Sequence, residues 1–233
     1  MQSFFLYYIL SMLFGNPVTA ILFLAFIYLI VDRRFIGLLP DFTRPLRRKS
    51  RMRQLRTTVA LNPANASAQL ELGQLLMERK RYREALPFLQ QAGKKLEDHA
   101  SAQFYLGADL VRVGEMDAGQ EILEKAVALR PNVQYGEPFI YLAEAALSAG
   151  NNTAELLEWV QTVLQYGNVE VCYRMGRVLQ QYGYKAEAHR LYSEALNGYK
   201  QCPTFARKTS RRWGLLAWLA LKRMPLPAQY VNK

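Results

Sequence analysis

Two cysteines in 233 residues, Cys172 and Cys202, form no Cys-x-x-Cys pair, and the two histidines, His99 and His189, are isolated. No metal site is expected from that set, and two plain thiols fit a reducing compartment. There is no Gly-rich phosphate loop, no His-Glu-x-x-His and no paired-carboxylate motif beyond ordinary helix-surface acids. The chain is therefore read as a non-enzyme that needs no cofactor. Strand-like alternation is missing as well. Two stretches lack charge of a particular kind. Nothing from Phe4 to Val31 is charged, and residues 200–233 carry eight Lys or Arg and no acid.

The formal charge of +11 conceals how the charge is distributed. Residues 32–56 hold nine basic side chains against Asp32 and Asp41, whereas residues 57–199 hold 13 basic and 17 acidic ones. A nucleic-acid-binding repeat would line its repeats with the basic residues, so that function is excluded. Basic flanks around a mildly acidic centre point instead to an anionic surface. Arg47, Arg48, Lys49, Arg51 and Arg53 are the expected membrane-surface residues.

An uncharged apolar run of 18 or more residues reads as a transmembrane helix. Asn16-Pro17 resembles an N-cap followed by proline at the first helical position, which leaves 15 residues before Asp32. That is about 22 Å at ~1.5 Å per residue, short of a ~30 Å hydrocarbon core. A single kinked span that also uses Phe4 to Phe14 is expected. No Lys or Arg precedes the run and many follow it, so the N-terminus is expected outside and the remainder in the cytoplasm, at a cell (inner or plasma) membrane.

Small and apolar residues recur along the remainder at a helical-hairpin spacing. Gly73 and Gly107 are 34 residues apart, as are Ala92 and Ala126, and Pro63 and Pro131 stand at matching ends. After a two-residue slip at Val133 to Gly136 the pattern resumes with Leu142-Ala143, Gly150 and Trp159, then with Met175-Gly176, Gly183, Ala188, Tyr192 and Ala195. A period near 34 with helix-sized apolar blocks signals a solenoid, whose extended surface serves to hold another macromolecule. Glycines 114, 150 and 183 sit where each first helix must stop. In the third unit Glu155 and Thr162 replace the small residues expected at the helix crossing, so that hairpin is expected to splay.

The pattern resembles the tetratricopeptide repeat family over roughly residues 66–200, with Leu55 to Pro63 as the second helix of a preceding half-unit. The expected fold is an all-α, tetratricopeptide-type solenoid behind an N-terminal transmembrane helix. Its parts are an anchor at 1–40 (apolar run 4–31), a basic juxtamembrane linker at 41–56, a solenoid at 57–200, and a capping helix and tail at 203–233. The solenoid's units lie near 66–99, 100–133, 136–168 and 169–202.

In that family the first helix of each unit lines the concave face. The resemblance therefore places Gln74, Phe104, Ala108, Arg112, Ile140, Glu144, Tyr173 and Arg177 on a partner-binding groove. The Lys and Asn cluster with which chaperone-binding members clamp a terminal carboxylate is missing, since Leu70, Gln74 and Ala108 occupy its places. The expected function is a membrane-anchored adaptor that binds a protein partner at the cytoplasmic face. The alternative is a regulatory subunit of a membrane enzyme or protease complex that meets its partner through the transmembrane helix. The last helix, Phe205 to Met224, either covers the solenoid's end or lies at the membrane interface.

Overall fold

Among the described residues, three of four helical hairpins begin at a side-chain cap. Asn65 Oδ1 accepts the Ala68 amide at 3.0 Å, His99 Nδ1 that of Ala102 at 3.3 Å, and Asn168 Oδ1 that of Val171 at 2.9 Å. Each satisfies an amide that a helix start leaves unpaired. The third hairpin has no such cap and starts with proline at its first position. The computed structural model describes residues 44–150 and 154–224, together with 18, 19, 21–23 and 27.

The chain divides into two units, Met1–Arg47 and Arg48–Lys233. In the first, the apolar run expected to span the membrane lies almost wholly outside the described residues. Val18, Ile21, Leu22, Phe23 and Ile27 are described, and they are helical and exposed. Among the described residues no helix is long and apolar enough to cross a membrane.

Helix α1 is Arg44–Leu61, followed by the hairpins α2 (Ala66–Glu78) with α3 (Tyr82–Lys95) and α4 (Ala100–Val113) with α5 (Met116–Leu129). A 3-10 turn at Val133–Gly136 leads into α6 (Pro138–Ser148) and α7 (Ala154–Tyr166). The last hairpin is α8 (Val169–Gln181) with α9 (Lys185–Gln201), and α10 (Thr204–Arg223) closes the array. The described residues contain no strand.

The residues expected to form a basic linker, 41–56, are mostly helical: α1 begins at Arg44. Met52 and Leu55, one turn apart, are buried with Leu72, Leu76 and Leu89 of the first hairpin. Opposite charges hold the polar side. Arg51 grips Glu71 bidentately at 2.6 and 2.5 Å, Arg48 pairs with Glu78 at 3.1 Å and Arg56 with Glu84 at 3.5 Å. Hydrogen bonding to Arg51 holds the Glu71 carboxyl below its usual range. Two of the five residues expected at the membrane surface, Arg48 and Arg51, are thus engaged with the repeats. The local charge density masked a short apolar stripe that packs α1 onto α2 and α3.

Within hairpins the helices meet where side chains vanish. A Cβ on Gly107 would lie 2.8 Å from Leu123 Cγ and 3.0 Å from the Gly119 carbonyl oxygen, and one on Gly119 would lie 2.7 Å from Val111 Cγ2. The third hairpin differs. Glu155 and Thr162 stand 36 residues beyond Gly119 and Ala126, and α6 and α7 approach each other at far fewer places than the helices of the other pairs. Helix α7 buries Leu156, Val160 and Val163, and it meets the 3-10 turn and α8 as extensively as it meets α6. The core forms two clusters that divide at α4, one over α1 to α3 with Ala102, Leu106 and Leu110 of α4, the other from α4 to α10.

Helix α10 covers the last hairpin. Ala217 is fully buried, and Gly214 lets the Tyr199 ring approach to where a Cβ would be 2.5 Å from its Cγ. Its opposite side is solvated, with Leu215 and Trp218 exposed and Lys222 over the Trp218 ring at 5.5 Å.

Candidate functional site

The inner sides of α2, α4, α6 and α8 line two adjacent cavities. The first, of about 450 Å³, is walled by Tyr82, Tyr105, Tyr135, Tyr141 and Glu170, with Arg174 at its edge. Burial, then the charges of Glu137 and Glu78, push the Tyr105 hydroxyl up to about 12. Burial followed by Glu137 raises Tyr141 also. Both phenols therefore stay neutral donors at physiological pH. Tyr135 reaches this wall from a left-handed backbone, φ 58°, in the 3-10 turn, where its ring stays exposed. Glu170 is held above its ordinary range, chiefly by burial.

The second cavity, of about 440 Å³, is walled by Arg112, Glu144, Tyr173, Arg177, Arg212 and Trp213. Arg174 lines both. It pairs with Glu137 and lies 3.9 Å from Glu170. Burial alone would lower its pKa, but Glu137 and Tyr141 outweigh it and hold the guanidinium firmly charged. Arg112 pairs with Glu144 at 3.4 Å and lies over the Tyr141 ring at 4.9 Å. Tyr173 stacks between Tyr192 and Trp213, each ring centre 5.6 Å away, and Arg212 covers Trp213 at 5.0 Å.

Of the residues singled out from sequence, Arg112, Ile140, Glu144, Tyr173 and Arg177 come together at the second cavity, and Gln74 and Phe104 at the first. Phe104, Ala108 and Ile140 are at most 2% exposed, so they pack between hairpins beneath the surface. Sequence reasoning missed Arg174, Arg212 and Trp213. Arg174 lies one turn beyond Glu170 on α8, a spacing that could have marked it. Trp213 and Arg212 arrive through the packing of α10, which leaves no periodic trace.

Little at the site suggests bond-making chemistry. His189 Nδ1 and Ser193 Oγ are 3.5 Å apart on one turn of α9, and burial lowers the histidine pKa. Cys172 is buried and its thiol pushed up to about 12, far from a thiolate. Among the described residues no three His, Cys, Asp or Glu side chains are grouped to hold a metal ion.

No family model matches the chain, and no curated protein matches it in sequence. Solved structures do match in fold. A crystal structure of MamA aligns at 20% identity and TM-score 0.52, covering 70% of this chain and 98% of that one. A MamA double mutant aligns at 16% identity and TM-score 0.51, covering 68% and 90%. YrrB, described as a TPR protein with an unusual peptide-binding site, aligns at 15% identity and TM-score 0.47, covering 73% and 85%. Identities this low speak to fold alone. In fold, the chain is a tetratricopeptide-type helical repeat protein.

Proposed function

We propose that this protein is a membrane-anchored adaptor, with the repeats in the cytoplasm binding an extended segment of a protein partner in the groove. The observation that carries this reading is the pair of adjacent cavities on the first helices, rich in tyrosine and arginine and poor in catalytic arrangements. Aromatic and Arg side chains are the residue types on which binding energy concentrates. Anchoring rests on the uncharged run from Phe4 to Val31 and the basic residues that follow it. The exposed apolar side chains of Val18, Ile21 and Leu22 agree with a hydrocarbon surround.

Paired capture from solubilised native membranes tests the groove, with the full chain and residues 48–233 as baits. A partner retained by both baits and lost on Tyr173→Ala with Arg177→Ala supports it, provided the variant melts as the parent does. A partner held only by the full chain moves recognition into the anchor and favours the regulatory-subunit alternative. Protease digestion of sealed vesicles tests the sidedness: cleavage of the repeats from the outer face alone refutes it.

A further inference from the structure

The two halves of the groove carry opposite charge once internal pairs are set aside. In the second cavity Arg112 is engaged by Glu144, and Arg174 by Glu137. Arg177 and Arg212 remain, with no acid within 4.0 Å among the described residues. Both flank a floor of Tyr173 and Trp213. In the first cavity the acid in excess is Glu170. It shares the cavity's cation, Arg174, with Glu137, while Glu78 serves Arg48. The Trp213 indole and the charge of Arg212 reach Glu170 from the second cavity. Its carboxyl is 3.9 Å from Arg174, among four tyrosine rings suited to seat a cation. A guanidinium fork matches one carboxylate bidentately, and the exposed heads of Arg177 and Arg212 are open to receive it.

We infer that the groove takes an extended partner segment of alternating sign, a side-chain carboxylate docking on Arg177 and Arg212 while a Lys or Arg of the same segment enters the tyrosine-walled half beside Glu170. This rests on the groove reading above and adds the chemistry of its occupant. Arg174 borders both cavities, so one continuous segment can fill both. The carboxylate is placed on a side chain, and a second library with free C-termini distinguishes it from a terminal one. The glutamates that would seem to repel an anion, Glu137 and Glu144, are each neutralised by an arginine. Binding is thus selective for the order of charges as well as for their presence.

A random peptide library displayed as an internal fusion, so that no peptide has a free C-terminus, tests this against the full chain in detergent. The expected result is enrichment of sequences pairing an acidic with a basic residue at a fixed spacing. Arg177→Glu with Arg212→Glu should cut recovery of those sequences about tenfold and enrich others with a basic residue in place of the acid. Enrichment without sign preference, or unchanged by the reversal, overturns the inference, as does enrichment of nothing. A parallel bait with Tyr173→Ala separates the two readings. Recovery lowered by that change, but blind to charge, leaves the groove standing and removes only its polarity. Recovery untouched by it removes the groove as well. Matching thermal melts of all baits exclude misfolding as the cause.

Discussion

The second and third hairpins solve the same packing problem differently. In the second, Gly107 and Gly119 let α4 and α5 close to backbone contact, and the turn between them falls on Gly114 at φ 105°. In the third, a glutamate and a threonine occupy the crossing, the helices meet more sparsely, and α7 leans on the 3-10 turn and α8 as much as on α6. The difference teaches that a repeat need not be cohesive in itself. In a solenoid the interface with the next unit can stand in for the one within it.

The comparison can be broken most forcefully at Gly107. Gly107→Val should destabilise the 48–233 unit by about 3 kcal/mol or more, because the clash is partly with backbone that cannot rotate away. Glu155→Val, on the exposed crossing position of the third hairpin, should stay within about 0.5 kcal/mol. Urea unfolding midpoints of the two variants measure both, and equal losses would mean the third pair is as tight as the second.

The tight hairpin also carries a liability. Asp109 on α4 is fully buried and neither carboxylate oxygen has a hydrogen-bond partner. Burial pushes its pKa from 3.8 up to about 7. The folded state therefore holds its proton more tightly than the unfolded chain. Stability is greatest below the unfolded value and declines as pH rises from about 4 through about 7. Asp109→Asn should remove that decline and stabilise the protein at pH 8 by on the order of 2 to 4 kcal/mol, with little change at pH 4. Chemical denaturation across this pH range measures it, and parallel profiles for parent and variant would refute the buried charge.

The smallest expected effect is at the turns. Lys80 stands 34 residues before Gly114 and adopts the same left-handed region, φ 59°, without glycine's freedom. Lys80→Gly should gain up to about 1 kcal/mol and Gly114→Lys lose about as much. Thermal melts that move the same way in both would contradict a shared turn.

Much of this was legible because close packing demands small residues at fixed intervals, and such intervals survive in sequence. The glycine spacing announced the hairpins, and the two large side chains at the third crossing announced its opening. Helix α1 was read only from Leu55 onward because its arginines looked like a topology signal, while its buried set is as small as Met52 and Leu55. The identical Ala-Ser-Ala-Gln at 66–69 and 100–103 held another clue. Gln103 donates to the Gly93 and Leu96 carbonyls at 3.0 and 3.2 Å, and Gln69 donates to that of Pro63 at 2.9 Å, each tying a helix start to the chain before it. The arginine half of the groove was half legible. Arg112 and Arg177 follow from register, whereas Arg212 and Trp213 depend on a helix folding back over the last pair.

The open third hairpin has a consequence in time as well as in space. Local opening starts where neighbouring elements share the fewest contacts, and amide protons there trade with solvent first. The seam between α6 and α7 should exchange hydrogen for deuterium before α4 and α5 do, although both lie in the same array. Because α6 bears Tyr141 and Glu144, that breathing would change the width of the groove at its middle. The slowest-exchanging amides would then mark the rigid jaws and the fastest the joint between them.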